Sequence, residues 1–423
     1  MDPVVDPTTT DHRKSAGLTE IHGLIDRHEK WRDSTVNLIA SENRISPAVR
    51  SVLDSDLEGR YASYPGRDLR DRSYRGNRFI VEIEEAAAAL ARELFGARYV
   101  ELRPLAGHIA GVAVIMGLCR PGDAVLEIGN IGGGHLLGAR LVQSPMATLA
   151  VHDIPFDGLR YNVDITRTLE LVEATKPRLV ILGSSNFLFP QPVRALVDFV
   201  HAHDGYLAYD ASHVMGFLAA NRFQSPLEEG ADVVFGSTHK TFPGPQGGII
   251  FSNRDDLMAG ITTAVRSLVG NHHPSRIPGM VVAMLEMQRH GPAYMDAVRR
   301  NAQGLGEALA REDVPCVTVD GSYSESHCIL ARVAAFGSAK VLAGILEESG
   351  IITTNALLPV EQGTEGIRLG VQEITRLGAD ERTMVEVARL IGDALADRRP
   401  PTSIARDAAA LAATLKTFSY VID

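Results

Sequence analysis

The chain has 423 residues, 45% of them hydrophobic and 22% charged, with a net charge of −10. That length exceeds a usual single core and implies two domains, or one large domain with an appendage. The acidic balance argues against nucleic acid or an anionic membrane as the main partner, and three scattered cysteines, Cys119, Cys316 and Cys328, are too few for a disulfide framework or a zinc site.

From the N-terminus, residues 1 to about 18 are polar and rich in Pro and Thr, and read as a loosely packed arm. They contain no apolar core of signal-peptide length, and no run elsewhere approaches a membrane span. A reducing, cytoplasmic location is expected. "LTEIHGLIDRHEKWRDS" places Leu18, Ile21, Leu24 and Ile25 at helical spacing. "FIVEIEEAAAALARELFG" predicts a second helix that Gly96 stops. Short apolar runs then alternate with helical stretches: "DAVLEIG", "ATLAVHDI", "RLVILGSS", "GYLAYDAS", "DVVFGST" and "GGIIFSN", with "TRTLELVEATK" and "VRALVDFVHAHD" among the helices. That alternation predicts an α/β fold with a mostly parallel sheet covered by helices. Near residue 275 the pattern changes to one or two long helices and then a smaller α/β region. The expected division is an arm and helix over 1–35, a large domain over 36–279, a small C-terminal domain over 280–397 and a helical tail over 398–423.

In open α/β sheets, ligands collect at the carboxyl ends of the strands. Four polar clusters fall at such ends: "NIGGGH" (130–135), "GSSN" (183–186), "DASH" (210–213) and "GSTHK" (236–240). A lysine after a strand is ordinarily a solvated loop residue, and an aspartate in "YDAS" suits a helix N-cap. Together, thirty residues apart, Lys240 and Asp210 suit pyridoxal phosphate (PLP). That cofactor takes a lysine as a Schiff base, a carboxylate at its ring nitrogen and donors around its phosphate.

Seven segments, in order, resemble the serine hydroxymethyltransferase family: "NLIASENRISPAVRSVL", "RYASYPG", "ELFGARYVELRP", "GGGHLLGA", "DASHVMGFLAA", "THKTFPGPQGG" and "GIRLGVQEITRLG". The resemblance implies a PLP fold-type I architecture, like that of aspartate aminotransferase, with a small C-terminal α/β domain. It implies Lys240 as the Schiff-base residue, Asp210 at the pyridine nitrogen, His135 stacked on the ring and His213 near the cofactor oxygen and substrate carboxylate. His239 joins Lys240, His135 and Asp210 as a catalytic candidate. Ala106, Gly107, His108, Ser185 and Ser237 stand with His239 at cofactor-binding positions, and Tyr61 reaches the phosphate of a partner subunit across a homodimer interface. Ser41, Tyr74 and Arg368 stand at substrate-binding positions, Arg368 as a two-pronged carboxylate clamp.

The chain also departs from that family. Where the pattern reads "Y-A-E-G-Y-P-G", with a glutamate that handles protons in folate-dependent transfer, this sequence has "YASYPG" and Ser63. A serine is no proton donor near neutral pH. The phosphate-binding "H-S-G-S" becomes "LAGH", the arginine of "G-P-R-G-G" becomes Gln246, and "G-G-Q-G-G-P" becomes "GNHHPSR". The segment after "YASYPG" is lengthened and carries Arg67, Arg70, Arg72, Arg75 and Arg78. It reads either as a solvated loop or as a basic lid for an anionic or polyhydroxylated aldehyde, with His272 and His273 contributing. The leading reading is a threonine transaldolase of a natural-product pathway, moving a glycyl carbanion from L-threonine to an acceptor aldehyde without folate. The alternatives are a serine or α-methylserine hydroxymethyltransferase, another fold-type I enzyme such as a desulfurase or aminotransferase, and a non-catalytic PLP-fold protein.

Overall fold

The protein is described from a computed structural model covering residues 17–144, 148–358 and 365–422. Most of the expected arm lies outside these residues. At the centre is a seven-stranded sheet. Across it the strands run Tyr99–Glu101, Gly248–Ser252, Val233–Ser237, Tyr206–Asp210, Leu179–Leu182, Ala124–Ile128 and Ala150–Ile154. The last five are mutually parallel, and Gly248–Ser252 runs antiparallel to both its neighbours. Every residue of Leu179–Leu182, Val233–Ser237 and Gly248–Ser252 is buried. Continuous apolar runs are what a sheet covered on both faces requires. The sheet is therefore mixed only at one edge, as the α/β alternation implied.

The helix read from "FIVEIEEAAAALARELFG" spans Arg78–Phe95 and ends at Gly96, which takes the left-handed conformation at φ 60°. The Leu18–Asp33 helix also forms, but its apolar spacing does not mean burial within this chain: Leu18 is 75% exposed and Trp31 42%. The long C-terminal pattern resolves into one 36-residue helix, Arg276–Arg311, with Pro292 inside it. This helix packs on both the large region and the Glu381–Leu395 helix, so it runs across the expected boundary at 280. Beyond it, Cys328–Arg332, Glu365–Gly370 and Thr354–Leu357 form a three-stranded antiparallel sheet. Val36–Asn37 pairs in parallel with Ile351–Ile352. That pairing ties the start of the expected large domain to the C-terminal region, a long-range contact invisible to local pattern. The Pro401–Thr414 helix packs against Ala339–Glu348 and Glu381–Leu395. Among the described residues, no helix is long and apolar enough to cross a membrane.

Candidate active site

The parallel strands end on one side of the sheet, and the four polar clusters meet there. A cavity of about 200 Å³ is lined by Ala106, Gly107, His108, His135, Gly183, Ser184, Ser185, Asp210, Ser212, His213, Ser237, His239 and Lys240. Ten of these were named individually from sequence; Gly183, Ser184 and Ser212 were marked only as members of the "GSSN" and "DASH" clusters.

The loop carrying Lys240 is tied down on all sides. Thr238 Oγ1 donates to the Pro245 carbonyl (2.7 Å), and Gly244 N donates back to the Thr238 carbonyl (3.0 Å). Thr241 Oγ1 donates to the His213 carbonyl (2.9 Å) and accepts from Gly216 N (3.0 Å). Asn43 Nδ2 donates to the carbonyl of Lys240 itself (2.7 Å), bringing the "IASEN" segment to the site. A loop with this many internal and long-range hydrogen bonds is preorganised, so its lysine is aimed rather than free. Burial brings the Lys240 ammonium down to about 8, against the opposing charge of Asp210 and helped by that of Arg368.

The opposite wall is the N-terminus of the buried helix Gly107–Leu118. Its N-cap, Ala106, supplies no side-chain acceptor, so the first-turn N–H groups keep their donor capacity. A Cβ on Gly107 would lie 2.3 Å from Ser237 Oγ and 2.9 Å from Ser212 Oγ. Only glycine lets the helix end approach these two hydroxyls. Helix N–H groups and serine hydroxyls together make an anion cradle. Asp210 lines the same cavity, and its Oδ1 accepts from Ser212 N at 2.9 Å.

Four imidazoles complete the wall, and each is displaced toward the neutral form. Burial takes His135 and His239 to about 4 and His213 well below the usual range, with Lys240 adding to the effect at all three. Burial also lowers His108, helped by Arg140. His108 Nδ1 lies 3.1 Å from His135 Nε2. Among the described residues, Asp210 is the single carboxylate on the wall.

Comparison with known proteins bears on this arrangement. The serine hydroxymethyltransferase family model matches residues 16–391. The chain belongs to that family. It is 39% identical to the serine hydroxymethyltransferase of Methanopyrus kandleri over 414 residues, covering 96% of each chain. It is 38% identical to the Thermococcus kodakarensis enzyme of the same name, again covering 96% of both. Among solved structures it is similar to an L-threonine transaldolase from Pseudomonas fluorescens, with a TM-score of 0.89 and 28% identity over 96% of this chain and 93% of that one. The fold is the PLP fold-type I architecture, the protein is a PLP-dependent transferase or aldolase, and PLP is its cofactor. The donor set of the cavity fits that group: one wall brings together a buried lysine, a carboxylate, and a helix N-terminus with two serine hydroxyls that can hold an anion.

Four expected residues stand off the cavity wall. Arg368 is buried one layer behind it, with Nη1 donating to the Ser185 carbonyl at 2.6 Å and Nε left without a partner. Ser41 follows Ala40, whose carbonyl accepts from a buried histidine, His327. Tyr61 and Tyr74 are exposed and lie against each other, ring centroids 5.2 Å apart. His327 escaped the sequence reading because "SHCILAR" shows only an apolar strand; nothing local marks the residue before it as part of a site.

In this family member the altered segment is more structural than a basic lid requires. Arg72 is buried and paired with Glu84, whose other oxygen bonds His272 Nε2 (2.6 Å). Arg72 and Arg103 both approach the Tyr64 ring, at 4.9 and 4.1 Å from its centroid. Arg67 pairs with Asp255 (2.6 Å), Arg70 with Glu85 (2.7 Å) and Arg78 with Glu82 (3.8 Å). His272 is thereby corrected from an aldehyde contact to a buried structural group. Among the described residues, Arg75 is the one arginine of the five without an ion pair.

Proposed function

We propose that the chain is a threonine transaldolase: L-threonine and an acceptor aldehyde give acetaldehyde and a new β-hydroxy-α-amino acid, without folate. The observation that carries this reading is the acid–base inventory of the cavity. Among the described residues its wall has four imidazoles held toward the neutral form and one carboxylate, Asp210, and Ser63 stands where the family pattern has its glutamate.

When bound, PLP supplies the electron sink that stabilises negative charge at the amino acid's α-carbon. Lys240 would anchor the cofactor and Asp210 would supply the carboxylate for its ring nitrogen. His135 would lie against it, and the Gly107 helix end with Ser212 and Ser237 would supply donors for its phosphate. Arg368, with Ser41, binds the substrate carboxylate. A neutral imidazole accepts the proton of the threonine β-hydroxyl as the Cα–Cβ bond breaks and acetaldehyde leaves. The same imidazole returns that proton to the new alkoxide when the acceptor aldehyde adds. His135, hydrogen-bonded to His108, is the group we assign to this transfer. Neutral bases suit the cycle, because among the described residues of the wall no further carboxylic acid stands by to quench the α-carbon before the second aldehyde arrives. Tyr61 and Tyr74, exposed here, serve the site of a second subunit in a homodimer.

A hydroxymethyltransferase is the second reading, favoured by the 38–39% identity to enzymes of that name. Labelling tests the first. Incubation with L-threonine carrying ¹³C at the α-carbon and a non-native aldehyde is expected to place the label in a new β-hydroxy amino acid, in equal amount to acetaldehyde. Labelled glycine as the sole product would count against transaldolation.

A further inference from the structure

His213 lies on the cavity wall, and behind it stands His327, which is fully buried. His327 Nε2 is 3.0 Å from the Ala40 carbonyl and 3.3 Å from His213 Nδ1, and its own Nδ1 is buried without a partner among the described residues. The two rings lie 5.4 Å apart, tilted by 31°. We propose that His327 is a positioning residue that holds His213 in the tautomer whose Nε2 carries the hydrogen, so that His213 meets the bound amino acid or cofactor as a donor.

The reasoning is one of hydrogen-bond roles. A carbonyl oxygen only accepts, so the His327 nitrogen facing Ala40 must carry a hydrogen. A bare Nε2 would set its lone pair against the carbonyl oxygen at 3.0 Å in a fully buried position. The same N–H is shared with His213 Nδ1, which must then accept. A neutral imidazole has one hydrogen, so that of His213 sits on Nε2. The unpartnered Nδ1 of His327 agrees with this assignment, since in the neutral ring that nitrogen is bare. The charged groups acting on His327 are Arg368 and Lys240, both cationic, and with burial they hold it neutral at about 3. His213 feels Lys240, Arg368, His327 and His135, all of which act in the same direction as its burial.

The chemical consequence is specific. With hydrogen on Nε2, His213 offers a donor to an anionic oxygen: a carboxylate, or the ring oxygen of PLP. The opposite tautomer would present a lone pair to the same oxygen and repel it. Ala40 adjoins Ser41, so the relay also couples the "IASEN" turn to His213. This inference rests on the reading that the cavity holds PLP and an amino acid.

The experiment is imidazole ¹⁵N NMR on the PLP-loaded enzyme labelled at histidine, with His213→Gln to assign the signal. The wild type is expected to show His213 with a protonated Nε2 and a bare Nδ1. His327→Gln places an amide donor where the imidazole Nε2 stood; it should keep that tautomer and hold glycine affinity within about threefold. His327→Leu removes the donor, so His213 should populate both tautomers and glycine binding should weaken about tenfold or more. Melting temperature and the visible PLP band report whether each variant folds and loads. A protonated Nδ1 at His213 in the wild type overturns the proposal whether or not His327→Leu folds. An unchanged tautomer in a folded His327→Leu protein does the same. Failure of the wild type to bind glycine would instead overturn the reading of the cavity, leaving the tautomer measurement intact.

Discussion

The loop around Lys240 and the segment over residues 60–78 both carry clusters of polar residues, and the fold uses them in opposite ways. Around Lys240, polar groups are spent on geometry so that a few reactive ones stay free. Thr238, Thr241 and Asn43 take the hydrogen bonds, while Lys240, Asp210 and the histidines face a cavity. In the 60–78 segment, Arg67, Arg70 and Arg72 pair with carboxylates on neighbouring elements and Arg78 with Glu82 one turn along its own helix. A motif made of threonines, glycines and one lysine thus marks chemistry better than a run of five arginines.

The sharpest break in that comparison is Lys240→Ala. It should abolish the visible absorption of the PLP-loaded protein and cut turnover at least about a thousandfold, as for residues bonded directly to the reacting group. Retention of the band would show that another amine holds the cofactor.

Glu84→Ala is the matching test in the other region. It strands Arg72 and His272 in the interior, so the account gives a stability loss of about 3–5 kcal/mol by chemical denaturation. A loss below about 1 kcal/mol would mean the segment is a detachable lid after all.

Acid should act through the cavity rather than through the surface pairs. His213, His239 and His327 are held neutral in the fold, His239 to about 4 and His327 to about 3, whereas an unfolded histidine titrates near about 6.5. Below that value the unfolded chain binds protons that the folded one excludes. Their stabilisation is therefore complete above about pH 6.5 and falls as pH drops toward 4, by up to about 1.4 kcal/mol per pH unit for each group. His327→Gln should flatten the slope, and an unchanged slope would remove His327 from the set.

The smallest effect is expected at Arg75→Ala. With no ion pair to lose, stability should stay within about 0.5 kcal/mol of wild type. A larger loss would mean that this arginine, too, is structural.

Much of the cavity was legible because strand-end clusters are local in sequence: ten wall residues lie in segments that the strand pattern and the family motifs mark. What was not legible depends on contacts across the chain. His327 reaches the site because Cys328–Arg332 pairs with Glu365–Gly370 and sets its neighbour against Ala40, 287 positions away. Arg72 and His272 read as surface groups until Glu84 is seen between them. The pairing of Val36 with Ile351 belongs to the same class, since a two-residue strand has no periodicity to detect. Gly107 was placed by motif, but its reason, the two serine hydroxyls within 3 Å of an added Cβ, exists only in three dimensions.

The central claim is that this cavity runs aldol exchange with neutral bases and no folate. The most direct measurement compares two values of kcat/KM on the PLP-loaded enzyme: acetaldehyde release from L-threonine with an acceptor aldehyde, and hydroxymethyl transfer from L-serine to tetrahydrofolate. The account gives the threonine reaction an advantage of at least about a hundredfold, unchanged when folate is removed. A serine–folate reaction faster than any threonine reaction would contradict it and make this chain a hydroxymethyltransferase.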